Sequence, residues 1–135
     1  MAKKNILIVD DDENMGDTLR DILELEGYEV SLARSGEESL ELAQKSEFDC
    51  FLIDIKMPGM NGIEAIKQLK SIRHNPKVIV MTGFSQTDYA QKAREEGAAE
   101  LLQKPLDMER LLTSIKTCVR PTEGLSGKIG RLCLI

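Results

Sequence analysis

The sequence predicts an α/β fold, in which five parallel strands form one doubly wound sheet with helices on both of its faces. Five short segments with the pattern of strands alternate along the chain with five segments that have the apolar spacing, the capping residues or the composition of helices. This alternation favours a parallel sheet with right-handed crossovers, because the chain must cross the sheet before each new parallel strand begins. A length of 135 residues fits one such domain.

The strands are predicted from the pattern of apolar residues. The first and fourth are continuous apolar runs and the third is apolar apart from Asp49, which is typical of strands buried on both faces. The second alternates, and the fifth is short and is followed at once by Lys104 and Pro105. The predicted strands span residues 6–9, 28–33, 48–53, 78–81 and 100–103.

The helices are predicted from apolar faces and from the residues that begin and end helices. Gly27 and Gly97 stand where a left-handed residue would end a helix, and Ser35 with Glu38 has the spacing of a capping box. Residues 57–62 are dense in turn-forming residues. The predicted helices run from Met15 to Gly27, from Ser35 to Lys45, from Ile63 to Leu69, from Gln86 to Gly97 and from Asp107 to Val119.

Composition and charge narrow the functional classes. Hydrophobic residues make up 41% and charged residues 30% of the chain, which is typical of a globular protein. The net charge of -5 disfavours direct binding to nucleic acid or to an anionic membrane surface. The apolar run at residues 6–9 is too short for a signal peptide core or a membrane span, so a cytoplasmic location is expected.

The cysteines show no pattern of a disulfide or metal site. Cys50, Cys118 and Cys133 are odd in number, widely spaced and without a neighbouring His. Cys50 and Cys118 are therefore predicted to be small residues of the core.

Polar residues stand at the carboxyl ends of four predicted strands. Such ends share one edge of a parallel sheet, where doubly wound folds bind their ligands. Carboxylates gathered there would repel one another unless a divalent cation compensated them, and Mg²⁺ prefers such oxygen ligands. The sequence therefore predicts a magnesium site at this edge. The residues concerned are Asp10, Asp11 and Asp12 after strand one, Asp54 after strand three, Thr82 after strand four and Lys104 after strand five.

The same residue types are suited to phosphoryl transfer. The Asp54 carboxylate could attack phosphorus and form an acyl phosphate. The Lys104 ammonium would then pair with one phosphoryl oxygen, and the Thr82 hydroxyl would donate to another. Gly83, next to Thr82, would leave room for the phosphoryl donor.

Each of these residues also has a simpler interpretation. Asp12 directly precedes a helix and is better explained as its N-cap than as a metal ligand. Thr82 could be a strand-end hydroxyl, Lys104 a solvated surface lysine and Asp54 a turn former. Their occurrence together, at four matching strand ends, favours a site.

These motifs resemble those of a known family. Ile-Val-Asp-Asp at residues 8–11, Asp-Ile-Lys-Met-Pro-Gly-Met-Asn-Gly at 54–62, Met-Thr-Gly at 81–83 and Lys-Pro at 104–105 occur in this order. The arrangement is similar to that in the receiver domain of bacterial two-component response regulators over residues 4–119. The resemblance implies a flavodoxin-like sheet of strand order 2-1-3-4-5, a domain at residues 1–120 and a switch controlled by phosphorylation.

The resemblance also implies roles for the individual residues. Asp54 would be the phosphoacceptor, and with Asp11 and the backbone carbonyl of Lys56 it would bind Mg²⁺. Asp10 would act largely through metal-bound water. The peptide bond before Pro105 would be cis.

Leu101 departs from the family pattern, because receiver domains usually carry Phe or Tyr at this position. We therefore expect Thr82 still to move toward the phosphoryl group, while the face formed by the fourth helix, the fifth strand and the fifth helix responds by a backbone shift and leucine repacking. By the same resemblance, Lys56 and Phe84 flank the path of hydrolytic water, and Phe84 is expected to lengthen the life of the phosphoryl group.

The partners implied by the resemblance are proteins. A sensor histidine kinase or a histidine phosphotransfer protein would supply the phosphoryl group, and a downstream protein or a C-terminal output domain absent from this chain would respond to it. A homodimer formed on phosphorylation is a further option, whereas nucleic acid and membrane are not expected as direct partners. Residues 121–135 lack a helical period and are expected to form a flexible tail, a linker stub or an expression remnant.

Other functions of the same architecture match fewer residues. An aspartate-nucleophile phosphohydrolase would require a second Asp where this chain has Lys56, and a nucleotide-binding or flavin-binding domain would avoid three Asp in its first loop. An interaction module that signals without phosphorylation is suggested only by Leu101. The expected protein is a signalling domain rather than an enzyme, catalysing only its own phosphoryl transfer and slow dephosphorylation.

Overall fold

The computed structural model describes residues 3–55, 60–83 and 87–119, and strands alternate with helices throughout. The strands are β1 (Asn5–Val9), β2 (Glu29–Ala33), β3 (Cys50–Asp54), β4 (Val78–Thr82) and β5 (Glu100–Gln103). The helices are α1 (Glu13–Leu25), α2 (Gly36–Lys45), α3 (Gly62–Ile72), α4 (Thr87–Glu95) and α5 (Met108–Cys118).

The described residues form one sheet of five parallel strands in the order β2-β1-β3-β4-β5. This confirms the predicted fold class and the strand order that the family resemblance implies. The order reverses beside β1, since the chain first moves from β1 to β2 and then returns to pair β3 on the other side. In doubly wound sheets, ligands bind near such a reversal, at the carboxyl ends of the strands.

The core consists of two apolar layers, one on each face of the sheet. Leu7 and Val9 of β1 belong to the layer that contains buried residues of α2, α3 and α4. Ile6 and Ile8 belong to the opposite layer, which contains buried residues of α1 and α5. Because successive side chains of a strand point to opposite faces, a continuous apolar strand supplies both layers at once.

Capping residues begin the helices much as the sequence predicts. Asp12 accepts a hydrogen bond from the Met15 backbone N–H at 3.2 Å, so its predicted role as an N-cap is confirmed and α1 begins at Glu13 rather than at Met15. Ser35 caps α2 by accepting from the Glu38 N–H at 3.1 Å. The Glu38 carboxylate accepts from the backbone of Arg34, one residue earlier than in the usual capping box.

Some predicted boundaries were wrong by one or two residues. The third strand was predicted at residues 48–53 but runs from Cys50 to Asp54, because Asp54 pairs with Met81 in the β3–β4 ladder. Phe48 lies before the strand and contacts the Phe51 ring edge-on, with 5.7 Å between the ring centroids. The second strand begins at Glu29 rather than at residue 28, and the fourth includes Thr82.

Other predictions concern helix ends, cysteines and residues outside the described part. Gly27 and Gly97 have φ values of 96° and 99°, as the predicted helix stops require. Cys50 and Cys118 are buried, which confirms them as core residues. Cys133 and residues 121–135 lie outside the described residues. In the described part, no helix is long and apolar enough to cross a membrane.

Candidate functional site

Three aspartates meet at the carboxyl ends of β1 and β3. Val9 is in register with Ile53 on the adjacent strand, so Asp10 and Asp54 stand side by side. One carboxylate oxygen each from Asp10, Asp11 and Asp54 lies within 4.8 Å of the others. Asp10 and Asp54 are buried, with 1% and 6% of their surface exposed, whereas Asp11 is exposed. The cluster therefore opens to solvent through Asp11 and places two carboxylates in the interior.

Asp10 is the least compensated acid of the cluster. Its Oδ1 accepts a hydrogen bond from the Asp12 backbone N–H at 3.0 Å, but its buried Oδ2 has no hydrogen-bond partner among the described residues. Burial raises the pKa of Asp10 from 3.8 to about 6, and the nearby Asp54 carboxylate adds to this rise. A buried carboxylate oxygen that has no partner among the described residues, in a cluster with two further carboxylates, fits a small divalent cation that prefers oxygen ligands.

Lys104 supplies the positive charge of the site. Its Nζ lies 2.9 Å from Oδ2 of Asp54, and its backbone N–H donates to the carbonyl of Thr82 at 2.8 Å. Burial opposes the lysine charge, but the hydrogen bond and the attraction to Asp54 and Asp10 outweigh it and raise the pKa of Lys104. The lysine is therefore charged at neutral pH. The peptide bond between Lys104 and Pro105 is cis.

Thr82 and Leu101 lie on the same side of the site. Thr82 ends β4 and is buried, with 6% exposure, and its Oγ1 donates to the carbonyl of Gly83 at 3.0 Å. Leu101 of β5 pairs with Val80 of β4. It is half-buried and packs against the core layer that contains the buried residue of α4. Thr82, Gly83 and Leu101 line the same pocket. The Thr82 hydroxyl is therefore in the same pocket as the leucine that replaces the family's usual aromatic residue.

The structure brings together the predicted residues at the ends of β1, β3, β4 and β5. Lys56, whose carbonyl is predicted to bind the metal, and Phe84, which with Lys56 is predicted to tune the lifetime of the phosphoryl group, lie outside the described residues.

Sequence reasoning missed two close glycine contacts. A Cβ at Gly36 would come within 2.8 Å of the Met60 sulfur, and one at Gly62 within 2.7 Å of the Ile55 Cα. No local pattern signals these contacts, because the partners come from different elements or across a turn.

Comparison with known proteins agrees with this geometry. The family model for the response regulator receiver domain matches residues 6–116. That match covers most of the chain and all of the residues of the acidic cluster.

The chain belongs to the response regulator receiver domain family.

The similar proteins differ in length. Sporulation initiation phosphotransferase F of Bacillus subtilis is 36% identical over 86% of this chain and 94% of the relative. Transcriptional regulatory protein FixJ of Bradyrhizobium diazoefficiens is 32% identical over 90% of this chain, which spans 60% of FixJ. Transcriptional regulatory protein ZraR of Escherichia coli is 34% identical over 92% of this chain, which spans 28% of ZraR. The chain is thus similar both to nearly a whole protein and to parts of longer regulators.

Solved structures show the same fold. A CheY-like receiver domain protein from Methanospirillum hungatei superposes with a TM-score of 0.83 at 36% identity, covering 87% of this chain and 94% of that one. The N-terminal part of FixJ superposes with a TM-score of 0.81 at 28% identity, covering 88% of this chain and 95% of that one. Receiver domains are phosphorylatable switches of two-component signalling and generally bind Mg²⁺ at their acidic pocket. This chain has the corresponding aspartate cluster.

The raised pKa of Asp10 predicts that metal-free Asp10→Asn is more stable than the parent above pH 6. The folded state holds the Asp10 proton up to about pH 6, whereas an unfolded Asp releases it near 3.8, so folding binds a proton between these values. The stability of the parent therefore falls as pH rises through this window. Asparagine has no such proton to lose, so we expect the free energy of unfolding of Asp10→Asn to exceed that of the parent by on the order of 1–3 kcal/mol at pH 7.5. Urea unfolding with a chelator present, from pH 4 to 7.5, measures it.

Asp11→Asn is the matched control for this prediction, because Asp11 belongs to the same cluster but is exposed. It should change the unfolding free energy far less. Added Mg²⁺ should stabilise the parent more than Asp10→Asn, since a ligand stabilises only the state that binds it. Equal pH profiles for the parent and Asp10→Asn would show that the buried carboxylate does not set this dependence.

Proposed function

We propose that this receiver domain accepts a phosphoryl group on Asp54 in a Mg²⁺-dependent reaction, from the phosphohistidine of a sensor histidine kinase or phosphotransfer protein. The observation that carries the proposal is the placement of the Asp54 carboxylate, which contacts the Lys104 ammonium at 2.9 Å and belongs to the cluster with Asp10 and Asp11. A downstream protein or an output domain outside this chain would respond to the phosphorylated form.

In this reaction an Asp54 carboxylate oxygen attacks phosphorus. A bond forms from that oxygen to phosphorus as the bond from phosphorus to the donor nitrogen breaks, and the imidazole leaving group takes up a proton. Mg²⁺ bound by Asp10, Asp11, Asp54 and the Lys56 carbonyl would neutralise charge on the phosphoryl oxygens. The forming bond from Asp54 to phosphorus and the breaking bond from phosphorus to the donor nitrogen lie in line. The donor must therefore approach Asp54 from the open side of the site.

Lys104 and Thr82 would bind the remaining phosphoryl oxygens. The Lys104 Nζ contacts Asp54 Oδ2 directly, so it lies within reach of an oxygen on a phosphoryl group attached there. The Thr82 hydroxyl donates to the Gly83 carbonyl in this structure and would have to turn toward the new anion. Movement of Thr82 would open space in the pocket that Leu101 lines.

We expect phosphorylation to change the face formed by α4, β5 and α5 through a backbone shift and repacking of Leu101. The leucine has no ring to swing between two positions, so the signal would be spread over neighbouring residues. Spectra of the isotopically labelled chain, free and phosphorylated, should therefore show shifted amide signals across residues 100–110. Unchanged signals there would contradict this response and favour an interaction module that does not use phosphorylation.

Lys56 and Phe84 are proposed to flank the path of hydrolytic water, and both lie outside the described residues. The bulky Phe84 ring would hinder in-line water and prolong the phosphoryl state. Phe84→Ala should then lose its phosphoryl group severalfold faster than the parent, measured by following the intact mass after removal of the donor. An unchanged rate would remove Phe84 from this role.

The test of the function is intact-mass spectrometry after incubation with a small acyl-phosphate donor, with Mg²⁺ and with a chelator. The proposal expects a gain of one phosphoryl group that requires Mg²⁺. No gain by a folded protein that binds Mg²⁺ would make the phosphorylation-independent interaction module the better interpretation.

A further inference from the structure

Two buried thiols lie at the edge of the sheet opposite to the acidic cluster. Cys50 is the first residue of β3, the strand that ends at Asp54, and Cys118 is the last residue of α5. At a rise of about 3.3 Å per residue, Cys50 and Asp54 are about 13 Å apart along the strand. The thiols are therefore outside the site that phosphoryl transfer would use.

The strand and the helix present the two thiols to the same apolar layer. Side chains alternate along β3, so Cys50 and Leu52 belong to the layer that contains α5, whereas Phe51 belongs to the opposite one. Along α5, Ile115 and Cys118 are three residues apart and share the face turned toward this layer. The two thiols interact directly, and this interaction is the largest influence on the pKa of each. The fold thus brings together two cysteines that are widely separated in sequence.

The two thiols differ in acidity. The hydrogen bond between them, together with burial, raises the pKa of Cys50 well above its usual range, and Asp49 adds to the rise. The same hydrogen bond lowers the pKa of Cys118, and the nearby Lys77 ammonium adds to this, although burial and Glu100 oppose it. Since the thiolate is the reactive form of cysteine, Cys118 is the more reactive of the two.

Cys118 is also the more accessible thiol. It is 5% exposed, whereas Cys50 is fully buried. It lies in the last turn of α5, and helix ends open more readily than helix interiors. Opening of that turn would expose the Cys118 sulfur to a small oxidant and leave Cys50 in the core. The same turn can adjust to the narrow geometry that a disulfide requires.

We propose that Cys50 and Cys118 form an oxidative modification site, in which hydrogen peroxide converts the two thiols to a disulfide. The Cys118 thiolate attacks one peroxide oxygen, so that a sulfur–oxygen bond forms, the oxygen–oxygen bond breaks and the departing hydroxide takes up a proton as water. The Cys50 sulfur then attacks the oxidised Cys118 sulfur. A sulfur–sulfur bond forms, and hydroxide leaves with the Cys50 proton as a second water. The two sulfurs together lose the two electrons that reduce the peroxide.

The disulfide would tie the end of α5 to the central strand of the sheet. Its ring would enclose β4, α4 and β5, and it would restrict α5 while leaving the residues of the acidic cluster unchanged. This goes beyond the proposed function, because no phosphoryl group takes part. The Asp54→Asn chain should therefore form the disulfide as the parent does, and failure of one proposal leaves the other standing.

The experiment treats the reduced, folded chain with hydrogen peroxide at low protein concentration, blocks the remaining thiols with N-ethylmaleimide in urea and measures the intact mass. The expected product has lost two hydrogens and carries the blocking group only on Cys133, the third cysteine of the sequence. Peptide mapping without reductant should join the fragments that contain Cys50 and Cys118. Dithiothreitol should reverse the change.

Single variants in a Cys133→Ser background separate the two steps. Cys50→Ala leaves the attacking thiol without its partner, so no disulfide should form, and dimedone, which traps sulfenic acids, should add to Cys118. Cys118→Ala should leave Cys50 unmodified, because the remaining thiol is buried and weakly acidic. Cys133→Ser alone is the matched control and should form the disulfide as the parent does.

Four results would overturn the proposal. They are a disulfide that includes Cys133 in the parent, oxidation of the parent to sulfinic acid without a disulfide, dimedone on Cys50 rather than on Cys118, and a disulfide that forms only when urea is present during oxidation. The last result would mean that the unfolded chain reacts rather than the folded pair. No loss of hydrogens, under conditions in which peroxide oxidises free cysteine, would also overturn it.

Discussion

Replacing Asp54 by Asn is expected to abolish Mg²⁺-dependent phosphorylation of this receiver domain. Asparagine keeps the shape of the side chain but lacks the carboxylate that would attack phosphorus, and it also removes the charge that faces Lys104 at 2.9 Å. The measurement is intact-mass spectrometry with a small acyl-phosphate donor, and the expected result is no detectable gain of a phosphoryl group. Peptide mapping of the parent should place the group on the fragment that contains Asp54.

The control for this variant must separate chemistry from folding. Asp21→Asn makes the same chemical change at an exposed position of α1 and should be phosphorylated like the parent. The Asp54→Asn chain and the parent should both unfold in urea in a single cooperative transition. A phosphoryl group that appeared on a folded Asp54→Asn chain, for example on Asp10, would show that Asp54 is not the acceptor.

Replacing Gly62 by Ala is expected to lower the free energy of unfolding by roughly 2–4 kcal/mol. A Cβ at this position would lie 2.7 Å from the Ile55 Cα and 2.8 Å from the Asp54 carbonyl oxygen. Both are backbone atoms, so no side chain can rotate away to relieve the contact. The Gly62 N–H also donates to the Ile55 carbonyl at 2.7 Å, which holds the start of α3 against the end of β3. Urea unfolding of the two proteins measures the loss.

Gly97→Ala is the comparison that isolates this steric cause. Gly97 has a positive φ of 99°, but a Cβ at this position would meet nothing within 4 Å, so only backbone strain of about 1 kcal/mol is expected there. Gly62→Ala should therefore cost clearly more than Gly97→Ala. A smaller loss at Gly62 would mean that the end of β3 can move away from α3, and then Asp54 would not be held as rigidly as the contact implies.

Much of the site follows from local sequence because it stands at strand ends. A continuous apolar strand that stops at a polar residue marks both the strand and its end, and parallel topology brings such ends to one edge of the sheet. Asp10, Asp54 and Thr82 follow mainly apolar strands of this kind, whereas Lys104 follows a short predicted strand that is only partly apolar. Asp12 was separated from the cluster by another local signal, its position directly before a helix.

Strand order was a different matter, since apolar periodicity reveals strands but not which of them are neighbours. It came from the family resemblance and is confirmed by the observed pairing. The predicted end of β3 was wrong for a similar reason, because it also depends on strand pairing. Asp54 continues the strand because it pairs with Met81, and such pairing has no trace in the local pattern.

The sequence by itself determined the alternation of strands and helices, the caps and glycine stops, and the set of residues that could perform phosphoryl transfer. Each depends on neighbours along the chain, whose preferences are short-ranged. Only the tertiary structure decided that Asp10 keeps a buried oxygen without a partner among the described residues, that Gly62 touches the backbone of β3, and that the thiols of Cys50 and Cys118 meet in one apolar layer. These features depend on distances between residues that are far apart in sequence. The packing of the two helical layers on the sheet sets those distances.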